Sequence, residues 1–155
     1  MKLSPAERFE GAWRFARGLT LDLLDCLDQS ELLFTPGKGL GPLWKPFRHV
    51  GRIQECYMRA VQTGIISFAS PIGRYAGGVC PQTLAAYLRE LDMELRALLN
   101  AANWDRAVAW GDERIDLYEH LSRLGHHETL HHGQWIVYMR LMGKPMPPSW
   151  RAWGV

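Results

Sequence analysis

The sequence lacks the features of a membrane protein or of a disulfide-stabilised secreted protein. Its longest stretches without a charged residue, 60–73 and 75–88, each contain a proline and are shorter than the roughly 20 residues that a spanning helix needs. The N-terminal residues have no apolar segment followed by a small-residue cleavage site, so we expect no signal peptide. The three cysteines, Cys26, Cys56 and Cys80, are odd in number and have no CxxC spacing. We therefore expect reduced thiols and a cytoplasmic location.

The sequence also lacks a large excess of positive or negative charge. The 155 residues include 18 Lys and Arg against 16 Asp and Glu, which gives a formal net charge of +2 with neutral histidines. This balance provides no electrostatic footprint for nucleic acid or for an anionic membrane. The 7 Trp, 5 Tyr and 5 Phe exclude a disordered chain, because so many aromatic side chains require a core. We expect a single domain over residues 1–155, with a short tail rich in Pro and Trp at 143–155.

Helical patterns dominate the chain, and no period-2 alternation is long enough to predict a sheet. The first helix is predicted from a capping box at Ser4 to about residue 27. The last helix is predicted to begin after a cap at Asp112 or Asp116. Asp116 is the better candidate, because Glu119 is placed to complete a second capping box. This last helix covers about 116–142, and we expect two further helices, over about 43–63 and 81–101. Four helices of about 20 residues or more fit an all-α four-helix bundle.

Two long connections marked by Gly and Pro separate these helices. The first covers 35–42, and the second covers 64–80 and includes Pro71. Loops of this length are uncommon in compact domains unless they are functional or cross the domain. The second connection is long enough to return along a helix of about 30 Å, so at least one neighbouring helix pair can be parallel. Residues 104–111 are a candidate extended segment.

Histidines are concentrated in the last predicted helix. His127 and His131 lie about 40° apart on one helical face. His126 and His132 are each turned about 100° away from these two, on opposite sides, and are predicted to be exposed or at the rim. The face of His127 and His131 is predicted to be buried, because it also carries His120, Leu124, Trp135, Tyr138 and Met142.

The spacing of His127 and His131, i and i+4, allows both imidazoles to bind one metal ion. His49 in the second helix shares its inward face with Ile53, Cys56 and Tyr57 and is the candidate third ligand. Three imidazoles form a facial site with open positions for water or substrate, and they suit zinc, nickel, iron or copper. The alternative is three core histidines, but burying three unligated imidazoles requires several polar partners. His120, seven residues from His127, would lie about 10 Å away and is not expected to close the site.

The segment from His127 to His131 is also formally the HExxH pattern, in which Glu128 would be a general base. The rest of the chain argues against a metalloprotease. No Asp or Glu follows Glu128, the sequence does not continue as HxxGxxH, and no convincing strand is available to pair with a peptide. Glu128 is a candidate catalytic residue near the metal or, alternatively, a solvent-facing one. Tyr57 is a candidate for orienting a substrate or, alternatively, a packing residue.

Several other residues have two interpretations each. Gln134 has the reach to contact either a group beside the ligands or a helix neighbour. Arg48 and Arg52 flank His49 and either attract an anionic substrate or are simply solvated. Trp150 and Trp153 indicate that the tail docks on its own helices or on a partner chain. Cys56 is expected in the core rather than as a ligand, because it lies about 10 Å from His49 along the helix.

Taken together, three motifs resemble those of the DinB/YfiT-like superfamily, whose members are regarded as metal-dependent enzymes. They are His49 in the second helix, His127-x-x-x-His131-His132-Gly133-Gln134 in the last, and the Gly- and Pro-rich exit at 143–148. The usual form of the second motif is HxxxHRGQ, so His132 stands where the family commonly has Arg. The resemblance covers about residues 8–150.

The resemblance implies a four-helix bundle with up-down-down-up topology and a divalent metal held by His49, His127 and His131. Zinc and nickel are the first candidates, followed by iron and manganese. It also implies a homodimer and a small-molecule substrate. Characterised relatives include thiol S-transferases and a thiol-dependent isomerase that use low-molecular-weight thiols such as bacillithiol or mycothiol. The implied activity is metal-dependent transfer of a thiol to an electrophile. The alternatives are a metal-dependent hydrolase and a non-catalytic stress-response protein that binds a metal or a small ligand.

Overall fold

Four long helices make up most of the computed structural model, which describes residues 2–69 and 73–155. They are α1 (Pro5–Asp25), α3 (Trp44–Thr63), α4 (Pro81–Ala101) and α5 (Leu117–Leu141). A single-turn helix, α2 (Gln29–Leu32), follows α1, and a 3-10 helix (Pro148–Trp153) lies near the C-terminus. The prediction of a mostly helical chain with these four long helices is confirmed. The short helix α2 was not predicted.

The helix ends follow from local capping. The Ser4 hydroxyl accepts the amide of Glu7 at 3.2 Å, and the Glu7 carboxylate accepts the amide of Ser4 at 2.7 Å, so the predicted capping box is present. At α5 only half of such a box forms. Asp116 accepts the amide of Glu119 at 2.7 Å, while the Glu119 carboxylate pairs with Arg123. The helix α1 ends two residues before the predicted residue 27, because the chain turns there to begin α2.

The expectation of no sheet is wrong. Strands β1 (Ala107–Trp110) and β2 (Glu113–Asp116) form an antiparallel hairpin just before α5. Gly111 has a φ of 60° at the first position of the two-residue turn, a conformation that favours glycine. Each strand has only four residues, too few for alternation to be read against a helical background. The first strand lies within the segment 104–111 that was predicted to be extended.

Two helices, α4 and α5, each contact both α1 and α3. The predicted inward face of α5 is therefore only part of its buried surface. His120, Leu124, Trp135 and Tyr138 are buried as expected. The contact with α1 buries a second side of α5, and His132 on that side is 2% exposed. The prediction that His132 is exposed or at the rim is wrong for this reason, whereas His126 is exposed as predicted.

The C-terminal tail docks on α1 and α5 of its own chain. Trp150 is fully buried, and its indole N–H donates to the carbonyl of Leu19 at 2.9 Å. Trp153 is 43% exposed, and its indole N–H donates to Nδ1 of His132 at 3.1 Å. Of the two interpretations of these tryptophans, docking on the helices of the same chain is the one observed.

Part of the second long connection is held over α3 and α4. The Arg74 guanidinium bonds to both carboxylate oxygens of Glu94, at 2.7 and 3.0 Å, and lies 3.8 Å from the carboxylate of Glu55. Pro71 in the same connection lies outside the described residues. The three cysteines are free, with Cys56 buried as predicted. In the described ranges, no helix combines the length and apolar character that crossing a membrane requires.

We predict that Trp150→Ala lowers the free energy of unfolding by about 3–5 kcal/mol, because it removes a fully buried indole and leaves a cavity. Trp153→Ala, four-tenths exposed in the same 3-10 helix, is the matched control and is expected to cost about 1 kcal/mol or less. Urea unfolding followed by circular dichroism measures both. Equal losses in the two variants would show that the buried docking of Trp150 is not what stabilises the tail.

Candidate metal centre

Three histidines from two helices converge at one point on the α3–α5 contact. His49 comes from α3, and His127 and His131 come from successive turns of α5. All three are half-buried, and one ring nitrogen of each lies within 4.8 Å of the other two. The Nε2 atoms of His49 and His127 are 3.3 Å apart. We call these three residues the histidine cluster.

The geometry of the histidine cluster fits a divalent metal. With Zn–N bonds of about 2.0–2.1 Å and tetrahedral angles, two ligand nitrogens lie about 3.3 Å apart. The separation of the His49 and His127 nitrogens matches this value. Among the described residues, no carboxylate or thiol joins the cluster. A metal held here would keep at least one coordination position open.

The protein environment keeps these imidazoles neutral. Burial lowers the pKa of His127 to about 4, and the neighbouring His131 and His49 add to this effect. Burial is also the main cause that lowers the pKa of His49, helped by His131 and by the charges of Arg52 and Arg48. The pKa of His131 is lowered by burial as well. Neutral imidazoles have a free lone pair at neutral pH, which is the form that binds metal.

Gln134 orients one histidine of the cluster. Its Oε1 accepts a hydrogen bond from Nδ1 of His131 at 2.8 Å. Because Nδ1 then carries the proton, the lone pair of His131 is on Nε2. The amide lies one turn further along α5, at i+3, which explains why this contact can form within the helix. Of the two interpretations of Gln134, contact with a helix neighbour is the one observed, and that neighbour, His131, is itself a member of the histidine cluster.

His120 lies outside the cluster, as its spacing predicted. It is fully buried, Nδ1 accepts the indole N–H of Trp110 at 3.1 Å, and Nε2 donates to the carbonyl of Tyr57 at 3.1 Å. These bonds join the hairpin and α5 to α3. Burial lowers the pKa of His120, so the ring is neutral, with its proton on Nε2.

Tyr57 packs in an aromatic group rather than against the cluster. Its ring centroid lies 4.8 Å from that of His120 and 5.6 Å from that of Trp110. Burial raises the pKa of its hydroxyl to about 12. No hydrogen bond within the described ranges joins this hydroxyl to the three histidines. These contacts support the packing interpretation of Tyr57.

Glu128 does not face solvent, which corrects one of the two expectations for it. The carboxylate is buried on the α1 side of α5. Arg17 donates from Nε to Oε1 at 2.9 Å and from Nη2 to Oε2 at 3.2 Å, and Thr20 donates to Oε1 at 2.6 Å. Burial opposes ionisation, but Arg17 and Thr20 outweigh it and lower the pKa of Glu128. Both oxygens are thus engaged with α1, which gives this carboxylate a structural role.

Sequence reasoning missed Arg17 and Thr20 as its partners. Both residues interrupt the apolar face of the first helix, and polar residues on a buried face need partners. That signal indicates that buried polar contacts exist, but it does not identify the partner on another helix.

His132 belongs to the same buried network. Its Nδ1 accepts from Trp153, so Nε2 carries the proton and donates to the Thr20 hydroxyl at 3.0 Å. Burial is the main cause that lowers the pKa of His132 to about 4. The position where the motif usually has Arg therefore faces α1 and the tail, and it is not part of the histidine cluster.

Two arginines flank the cluster on α3. The Arg48 guanidinium lies 4.9 Å from the ring centroid of Trp44 and is exposed. Arg52 donates to the carbonyl of Phe68 at 2.8 Å. Arg52 is therefore tied to the second connection as well as close to His49.

The protein is thus mostly helical, and its histidine cluster is a candidate metal centre. The family model of the DinB superfamily matches residues 12–135, and the chain belongs to this superfamily. The resemblance read from the motifs is thus confirmed.

Two solved structures share the fold. A DinB-like protein from Bacillus subtilis has a TM-score of 0.71 at 17% identity, covering 91% of this chain and 95% of that one. A DinB-like protein from Bacillus cereus has a TM-score of 0.74 at 19% identity, covering 90% of this chain and 93% of that one. No curated protein gave a significant match.

We predict that the purified protein binds about one zinc or nickel ion per chain, and that His49→Ala and His131→Ala bind almost none. Each substitution removes one of three ligands. His126→Ala, an exposed histidine on the same helix, is the control and should bind as the parent does. Elemental analysis after incubation with metal and gel filtration measures the ratio. Stoichiometric metal in both ligand variants would refute the assignment.

We also predict that Gln134→Ala weakens zinc binding about 10–100-fold while the ligand set stays intact, because His131 loses the bond that orients it. Competition with a chromophoric chelator measures the affinity. Gln134→Glu retains an acceptor for His131 and is expected to bind zinc at least as tightly as the parent. Parental affinity in Gln134→Ala would mean that this hydrogen bond does not support the site.

Proposed function

We propose that this protein is a divalent-metal-dependent enzyme that transfers a low-molecular-weight thiol to an electrophilic small molecule. The convergence of three neutral imidazoles, without a fourth ligand among the described residues, is the observation that carries the proposal. A structural zinc site would be closed by a fourth protein ligand. When bound here, a divalent metal lowers the pKa of a coordinating thiol and favours the thiolate at neutral pH.

In this proposal the residues of the chain have distinct tasks. His49, His127 and His131 hold the metal, and Gln134 keeps His131 in the tautomer that binds it. The all-nitrogen ligand set favours zinc or nickel, with iron or manganese as further candidates. The three histidines are half-buried, so the cluster is partly open to solvent and partly covered by the core.

Charge around the cluster indicates a preference for an anionic group on one of the substrates. Arg48 and Arg52 both lie close enough to His49 to lower its pKa. On the other side, the nearest carboxylate that influences His127 is Glu128, which Arg17 neutralises. Positive charge close to His49 favours an anionic group on a substrate.

The engagement of Glu128 favours thiol transfer over hydrolysis. A metal-dependent hydrolase of the HExxH type needs this glutamate as a free general base. Here both of its oxygens bond to α1. A thiol that ionises at the metal needs less help from a protein base than water does, because its intrinsic pKa is much lower.

We also propose that the four long helices form a bundle in up-down-down-up order. Contacts between α1 and α5 support a parallel pair. Arg8 near the start of α1 lies over Tyr118 near the start of α5, and further along Thr20 contacts His132.

Contacts between α3 and α4 support the second parallel pair that this order requires. Gly51 in α3 lies against the ring of Tyr87 in α4. Towards the other ends of the two helices, Gln62 and Ala101 line the same cavity.

The proposed activity is tested by a thiol-transfer assay on zinc- and nickel-loaded protein. Bacillithiol, mycothiol, glutathione and cysteine serve as thiols, and monobromobimane and chlorodinitrobenzene as electrophiles. We expect conjugation above the uncatalysed rate with at least one thiol, loss of that activity in His131→Ala, and retention in His126→Ala. Cobalt-loaded protein gives a second readout, because a coordinating thiolate produces a charge-transfer absorption band. Metal binding without this band and without conjugation would refute thiol transfer and favour a non-catalytic metal-binding protein.

A further inference from the structure

A cavity lies between α1 and α4, away from the histidine cluster on the α3–α5 contact. We call it the α1–α4 cavity. It has a volume of about 150 Å³, and its walls include the apolar side chains of Phe9, Trp13, Leu95 and Leu99. A cavity of about this volume with apolar walls holds a benzene-sized group. Its size therefore fits one ring or a short alkyl chain.

The floor of this cavity is charged and not balanced. Arg17, which lines it, is almost fully buried and pairs with two carboxylates, Glu128 at 2.9 Å and Asp92 at 3.3 Å. At the floor, one buried guanidinium thus pairs with a buried carboxylate and with a partly exposed one. Burial of unbalanced charge is costly, and an added cation would offset that cost.

Asp92 has one oxygen available for such a cation. Its Oδ1 accepts all the bonds that the carboxylate receives, from Trp13 at 2.9 Å, Gln54 at 3.2 Å and Arg17 at 3.3 Å. Within the described ranges no donor contacts Oδ2. The side chain remains 25% exposed, and Asp92 lines the cavity. Burial is the main cause that raises the pKa of Asp92 above its usual value, although Arg17 and the bonds from Trp13 and Gln54 oppose it.

We propose that the α1–α4 cavity binds a small amphipathic amine, with its ammonium group on Oδ2 of Asp92 and its apolar group between Phe9, Trp13 and the two leucines. A charge-assisted hydrogen bond to Asp92 would identify the amine, and the apolar walls would limit its size. Arg14, Arg96 and Glu10 also line the cavity. Both arginines are exposed, so solvent screens their repulsion, and Glu10 adds a second carboxylate to the lining. The site is independent of the proposed enzymatic function.

Three ligands of one shape test this proposal by isothermal titration calorimetry: benzylamine, benzyl alcohol and phenylacetate. We expect benzylamine to bind at least about 10-fold more tightly than the other two, because only its ammonium forms the charged bond. In Asp92→Asn this preference should disappear. His131→Ala, in which the histidine cluster is disrupted, should bind benzylamine as the parent does, and this separates the cavity from the metal centre.

A second variant fills the cavity without touching the charges. A Cβ atom at Gly18, which lines the cavity from α1, would meet no heavy atom within 4 Å. Gly18→Leu therefore places a side chain in the cavity and also favours the helix. Gly11→Leu is the matched control, since Gly11 is on the same helix with the same free space but outside the cavity.

We expect Gly18→Leu to abolish benzylamine binding and Gly11→Leu to leave it unchanged. Absence of binding to the parent, or undiminished binding to Gly18→Leu, would overturn the proposal. Tighter binding of phenylacetate than of benzylamine would also overturn it and would indicate recognition by the exposed arginines of the lining.

Discussion

The buried ion pair between Arg17 and Glu128 is the interaction on which the arrangement of the site depends. It joins α1 to α5 through two bonds, and the carboxylate belongs to the residue directly after His127. With Glu128 held against α1, His127 and His131 are turned towards α3 and His49. Losing one partner of such a pair leaves an uncompensated buried charge, which typically costs about 3–5 kcal/mol. The rotation of α5 about its axis is therefore strongly determined.

Two sides of α5 carry buried or half-buried polar side chains, and the polar atoms of each side have different partners. On the α1 side, Glu128 and His132 are buried, and every bond runs in a defined direction, from Trp153 to His132, to Thr20 and to the carboxylate. On the α3 side, the histidine cluster is half-buried, and one ring nitrogen of each histidine lies close to those of the other two. Fully satisfied polar groups stabilise a fold. Ring nitrogens that converge in this way are suited to a metal ion.

Arg17 also connects the two sites. It holds Glu128 beside His127 and at the same time forms part of the floor of the α1–α4 cavity with Asp92. The histidine cluster and the cavity lie on different helix contacts, yet they share one buried cation.

The sequence by itself determined the four long helices, the N-cap residues of α1 and α5, the superfamily and the three histidines, because helical periodicity, capping residues and i, i+4 spacing are local signals. Tertiary structure alone decided the hairpin, whose four-residue strands are too short to show a period, and the burial of His132. It also decided the partner of Glu128: Arg17 lies 111 positions earlier in the chain. A polar residue on a buried helical face indicates that a partner is needed. The packing of α1 against α5 decides which residue that partner is, because the neighbours on other helices determine what is buried.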